Sequence, residues 1–124
     1  MRKNIFTLLF IALFCLLTGY TAKAQQPPTS GGYVEVDVDN KEIAYSVKVA
    51  LDIKSKETKE NYKLDTIYKA EMQVVAGKNY RVCLSVYVPV EGEANEYFNV
   101  QFVLYRNLKG EYKLTKWEEV EECE

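Results

Sequence analysis

The stretch YKLDTIYKAEMQVVAGKNYRVCLSVYV, residues 62–88, contains two alternating runs separated by a single glycine. In the first run Tyr62, Leu64, Tyr68, Ala70, Met72 and Val74 share one face, and Lys63, Asp65, Lys69, Glu71 and Gln73 share the other. In the second, Tyr80, Val82, Leu84, Val86 and Val88 form an apolar row, with Arg81, Cys83, Ser85 and Tyr87 opposite. Successive side chains of a strand point to opposite faces, so each run predicts a strand with one face on a core. Ala76-Gly77-Lys78 interrupts them with the residue that takes positive φ at least cost. Residues 62–75 and 79–88 are therefore expected to form a β-hairpin.

Downstream, the polar connection Pro89 to Asn95 leads to Phe98, Val100, Phe102 and Leu104, another inward row. Asn107 to Gly110 predicts the next turn, and residues 111–120 a last strand that starts with Tyr112 and Leu114 inward. Trp117 breaks that parity, which implies a bulge or an edge position. The acidic tail EEVEECE, residues 118–124, is expected to fray.

Upstream, YVEVDV at residues 33–38 alternates and predicts a first strand. Asp39 and Asn40 can accept from free amides at a helix start, and Glu42 stands at capping-box distance from Asp39. Ile43, Ala44, Val47, Ala50, Leu51 and the stem of Lys54 follow as one helical stripe, with Val49 and Ile53 off it. The helix should end between Ser55 and Glu60, a charged segment with nothing apolar to bury. The predicted order is β-α-β-β-β-β. This is an α+β fold in which one helix lies across one face of an antiparallel sheet. Tyr87, Tyr97, Val103 and Tyr105 fall on the opposite face, where cross-strand ladders are expected.

Residues 1–24 read as a signal peptide: Arg2 and Lys3 precede an apolar run from Ile5 to Leu17, and Ala22-Lys23-Ala24 offers a cleavage site. The run is too short for a bilayer-spanning helix, which needs roughly 18–20 residues, so no membrane association is expected of the mature form. Residues 25–32, QQPPTSGG, have the composition of a flexible arm, and residues 33–124 form the domain. Removing Arg2, Lys3 and Lys23 takes the formal net charge from −2 to −5. An acidic exported domain is a poor partner for nucleic acid. The chain has no histidine, which removes the usual base of serine and cysteine hydrolases and the commonest ligand of catalytic zinc. No enzyme, metal or cofactor is expected. Cys15 leaves with the leader. Cys83 and Cys123 remain, either as two free thiols or as one bridge closing a roughly 40-residue loop.

The hairpin turn carries Gln73-Val74-Val75-Ala76-Gly77, and Gly31-Gly32 stands just ahead of the first strand. In these residues and in the order of its elements the chain resembles the cystatin family, inhibitors of papain-like cysteine proteases. The family's Q-x-V-x-G is matched by Gln73, Val75 and Gly77. The resemblance implies a cystatin-like fold and a secreted (or periplasmic), reversible, non-covalent inhibitor. Its amino-terminal arm and two hairpin tips would enter the protease cleft as a wedge. Gly31, Gly32, Gln73, Val74, Val75, Ala76 and Gly77 would contact the protease, joined by Asn107 and Leu108 of the second turn. That turn lacks the family's Pro-Trp, so Leu108 would supply what apolar contact there is. Gly77→Arg is expected to weaken binding sharply while leaving the fold intact. The alternative is a cystatin-fold scaffold or adhesion module without inhibitory activity. A monomer is expected, with a dimer swapped at the first hairpin as the other form.

Overall fold

The computed structural model describes residues 31–124. The expected leader, residues 1–24, and most of the arm, residues 25–30, lie outside the described residues. Within them the chain forms β1 (Tyr33–Val36), α1 (Lys41–Thr58), β2 (Lys63–Val75), β3 (Gly77–Tyr87), β4 (Tyr97–Arg106) and β5 (Tyr112–Val120). The strands make one antiparallel sheet in the order β1-β2-β3-β4-β5, so every strand neighbours the next along the chain. The helix crosses one face of this sheet, as the apolar rows require.

The core is the layer between helix and sheet. Ile43, Val47, Ala50 and Leu51 from α1 meet Ala70, Tyr80, Val82, Leu84, Val86, Val100, Phe102 and Leu104. The inner rows of β3 and β4 are as expected. Burying each large aliphatic or aromatic side chain contributes roughly 1.5–3 kcal/mol, so these rows dominate the stability of the layer. The helical stripe needs one correction: Ala44 is exposed and Ser46 is buried in its place. Ser46 is tolerated there because its hydroxyl donates to the Ile43 carbonyl at 2.7 Å, so the buried hydroxyl has a partner. Val49 and Ile53, off the expected stripe, still pack against the core edge.

Helix α1 starts at a cap made by Asn40 alone. Its Oδ1 accepts from the amides of Glu42 at 2.8 Å and Ile43 at 3.4 Å. The Asp39–Glu42 capping box does not form, because the Glu42 carboxylate accepts from Lys78 and Tyr80 instead. Lys59, at φ 58°, ends the helix in the left-handed conformation. At this end Tyr62 meets Trp117 edge-on with centroids 5.2 Å apart, and the Lys54 ammonium lies 5.3 Å from the Trp117 ring. This cluster closes the core opposite the hairpin turns.

Strand β2 departs from simple alternation. Its pairing with β3 shifts between Leu64 and Thr66 and again between Ile67 and Lys69, so Asp65 and Tyr68 are extra residues. Two bulges restore the original phase by Ala70, but between them Ile67 takes the inward place and Tyr68 is 54% exposed. The bulge expected near Trp117 is present: pairing slips between Leu114 and Lys116, and Trp117 then pairs with Phe102. Strand β1 is short and pairs only with Ala70 to Gln73. No strand among the described residues covers the outer edge of residues 63–69.

Cys83 and Cys123 are joined by a disulfide with Cα atoms 5.6 Å apart. The tail does not fray. It folds back over the outer face of the sheet, held by the disulfide, by Lys69 Nζ donating to the Glu124 carbonyl at 2.8 Å, and by Asn99 Nδ2 donating to the Glu121 carbonyl at 3.0 Å. Cys83 lies on the outer row as expected, and its neighbour Ser85 there is also buried. The Tyr87 and Tyr97 rings pack across β3 and β4 with centroids 5.3 Å apart, the expected ladder.

Candidate functional site

Antiparallel order brings the β2–β3 and β4–β5 turns to the same end of the sheet, and the start of β1 joins them there. The first turn is very tight. Val75 pairs with Gly77, which leaves Ala76 alone at the tip. Gly77 has φ 106°, and a Cβ on it would lie 2.2 Å from the Arg106 carbonyl oxygen. Glycine is therefore required twice, by its own backbone and by the second hairpin packed against it. This corrects the expectation for Gly77→Arg: any side chain there pushes the two hairpins apart. A loss of binding in that variant would report on geometry rather than on a contact.

The second turn is built around Asn107. Its Oδ1 accepts from the amides of Lys109 and Glu111, both at 2.9 Å, and its Nδ2 donates to Glu111 Oε2 at 3.2 Å. The side chain thus shapes the turn from within, as an Asx-turn does. Leu108 is what the turn presents outward, 84% exposed. The Tyr105 hydroxyl donates to the Ala76 carbonyl at 2.5 Å and ties the two tips together.

The amino-terminal glycines are fastened to the first hairpin by Gln73. Its Nε2 donates to the Gly31 carbonyl, and its Oε1 accepts from Asn79 Nδ2 at 2.8 Å. Behind it, Arg81 donates two hydrogen bonds to Glu71, at 3.1 and 2.8 Å, and its guanidinium lies 3.8 Å from the Tyr33 ring. Those hydrogen bonds hold the Glu71 carboxyl below its ordinary pKa. Tyr33 is pinned as a result, which fixes where the chain enters the sheet.

The residues expected to form a site thus converge. Gly31, Val74, Val75 and Ala76 line one shallow depression, and Gly77, Asn107 and Leu108 line a notch between the hairpins with Lys78 and Arg106. Val74 and Val75 are exposed at 60% and 39%. Gly32 connects Gly31 to β1 and is exposed. Gln73 and Asn107 differ from the others, because both spend their side chains inside the protein. Tyr105, Asn79, Lys78 and Arg106 join the site without a signal in the sequence strong enough to nominate them. Lys78 follows the turn glycine directly and Arg106 ends the inward row of β4, but only the pairing register places them opposite one another.

Beneath the notch, Glu42 accepts from Lys78 Nζ at 2.8 Å and from the Tyr80 hydroxyl at 2.5 Å. These bonds hold the Glu42 carboxyl below its ordinary pKa. Burial and the adjacent carboxylate push the Tyr80 phenol well above its own. Among the described residues the buried Arg106 Nε has no hydrogen-bond partner. This end of the molecule presents small apolar side chains at the turns and charged groups behind them.

No family model and no curated protein matches this sequence. Solved structures do match in shape. The salivary cystatin of the soft tick Ornithodoros moubata superposes with a TM-score of 0.59 at 19% identity, over 73% of this chain and 97% of the other. Al-CPI gives 0.56 at 16% identity, over 73% and 100%. Dimeric human cystatin F gives 0.62 at 7% identity, over 82% and 96%. Nearly the whole of each neighbour is covered, and the described residues, five antiparallel strands packed against one helix, have the cystatin-like fold.

Proposed function

We infer that the protein is a secreted, reversible inhibitor of papain-like cysteine proteases that inserts the edge formed by Gly31, the Val75-Ala76 tip and the Leu108 tip into the active-site cleft. The observation that carries this reading is the convergence of these three segments, distant in sequence, on one end of the sheet. Small apolar groups at a preformed edge enter a narrow groove without ordering long side chains, so little entropy is lost on binding. Gln73 acts as a strut that holds the arm against the first tip. The arm passes the catalytic centre as Gly31-Gly32, presenting no side chain there for cleavage. No bond is made or broken in this mechanism, and no catalytic residue or cofactor takes part.

Titration of papain with residues 25–124, following a small fluorogenic peptide, tests the reading. Stoichiometric loss of activity with an uncleaved inhibitor is the expected result. Absence of inhibition at micromolar concentrations across several papain-like proteases would refute it and leave a scaffold role for the fold.

A further inference from the structure

Among the described residues the two hairpin turns and their flanks carry more cations than carboxylates, the reverse of the remainder. Lys78, Arg106, Lys109 and Lys113 lie in or beside the two turns, and the carboxylates among them are Glu42 and Glu111. Both carboxylates are engaged internally, Glu42 with Lys78 and Tyr80, and Glu111 with Asn107. The remainder of the described chain carries excess carboxylates, including Glu91, Glu93 and Glu96 in the β3–β4 connection and Glu118, Glu119, Glu121, Glu122 and Glu124 in the last strand and tail. The chain is thus polarised, with its positive end at the edge that leads into a cleft.

Within that end, the notch between the tips is lined by Lys78, which is paired with Glu42, and by Arg106, whose Nε is buried. Lys109 and Lys113 are exposed on the flank of the second hairpin. Resting on the inhibitor reading above, we propose that this basic end selects cysteine proteases whose cleft rim is acidic, with the exposed Lys109 and Lys113 steering the approach and facing rim carboxylates. Complementary charge acts mainly on the association rate and on discrimination between partners, and it is screened by salt.

The test compares a papain-like protease bearing several Asp and Glu on its cleft rim with the same protease after their replacement by Asn and Gln. Association and dissociation rates are measured from inhibition progress curves at low and high salt. Lys109→Glu combined with Lys113→Glu changes two exposed side chains and leaves the core alone. For the acidic rim, the double variant should associate roughly tenfold more slowly at low salt with dissociation nearly unchanged, and the difference should shrink as salt rises. The neutralised rim should erase it. Inhibition that proceeds at equal rates for both rims and for the parent chain and double variant alike would overturn the charge selection alone. Failure of the unmodified chain to inhibit any papain-like protease would overturn the inhibitor reading and this inference with it.

Discussion

Removing the Cys83–Cys123 bridge offers the most quantitative check on the structure. The two cysteines are 40 residues apart in sequence, and closing a loop of that length in the unfolded chain lowers its entropy enough to stabilise the folded state by about 4 kcal/mol at 25 °C. Cys83→Ala with Cys123→Ser removes the cross-link without leaving a lone thiol. Among the described contacts the tail would keep two other fastenings, Lys69 to the Glu124 carbonyl and Asn99 to the Glu121 carbonyl. Neither is strong at an exposed site, so the tail should detach and uncover Ser85 on the outer face. For a domain of this size the loss corresponds to a fall in Tm of roughly 15–30 °C. Urea unfolding should give a lower midpoint, with far-UV circular dichroism of the folded state retained, because the helix–sheet core does not involve the bridge. A stability change below about 1 kcal/mol, or two titratable thiols in the purified unreduced chain, would refute the reasoning.

Glu42→Gln tests the polar cluster under the notch. The folded-state pKa of Glu42 is depressed, so its contribution is complete above the ordinary glutamate pKa and is lost as pH falls through the lower folded value. The unsubstituted chain should therefore be more stable than the variant at neutral pH and converge with it in acid, as read by urea unfolding at a series of pH values; a difference that persists unchanged in acid would exclude this origin. Gln73→Ala removes the strut to Gly31 and should raise the dissociation rate of a protease complex several-fold, while stability changes by no more than about 1 kcal/mol. Leu108→Trp adds indole area at an exposed tip and should tighten protease binding by roughly tenfold with Tm unaltered, whereas Leu108→Ala should weaken it, both read from inhibition constants.

Much of the architecture is legible in the sequence, and the reason is periodicity. The inward rows of β3 and β4 run without a break, so Tyr80 to Val86 and Val100 to Leu104 are buried as alternation demands. Trp117 betrays its bulge because a large aromatic side chain that falls out of phase must either change the register or sit exposed. The bulges of β2 are silent by comparison. Tyr68 and Ile67 are both plausible inward residues, and paired bulges leave the phase at Ala70 unchanged, so alternation across the strand looks regular. The competition for Glu42 is equally hidden. Its local partner at Asp39 is three residues away, while Lys78 and Tyr80 are brought to it by the packing of the helix on the sheet. Two cysteines in sequence are compatible with a bridge or with free thiols, and the choice falls to a tail that folds back. At the candidate site the turn residues can be named from the sequence. That Gln73 and Asn107 are occupied internally cannot, because it depends on neighbours brought to them by the fold.

The half of β2 without an outer neighbour also bears on how this protein behaves at high concentration. A bare strand edge is a template on which a second copy can add, and then a third. Here the two extra residues, Asp65 and Tyr68, put the free amides and carbonyls of that edge out of step with any regular strand. Lys63, Asp65 and Lys69 add charges that an incoming copy would have to bury. Deleting Tyr68 would remove one irregularity and lengthen the straight edge, and sedimentation velocity should then detect more self-association than in the parent chain at the same concentration. Unchanged sedimentation would mean that charge alone keeps copies apart. The irregular strand is in this light a safeguard against polymerisation, placed well away from the two hairpin turns.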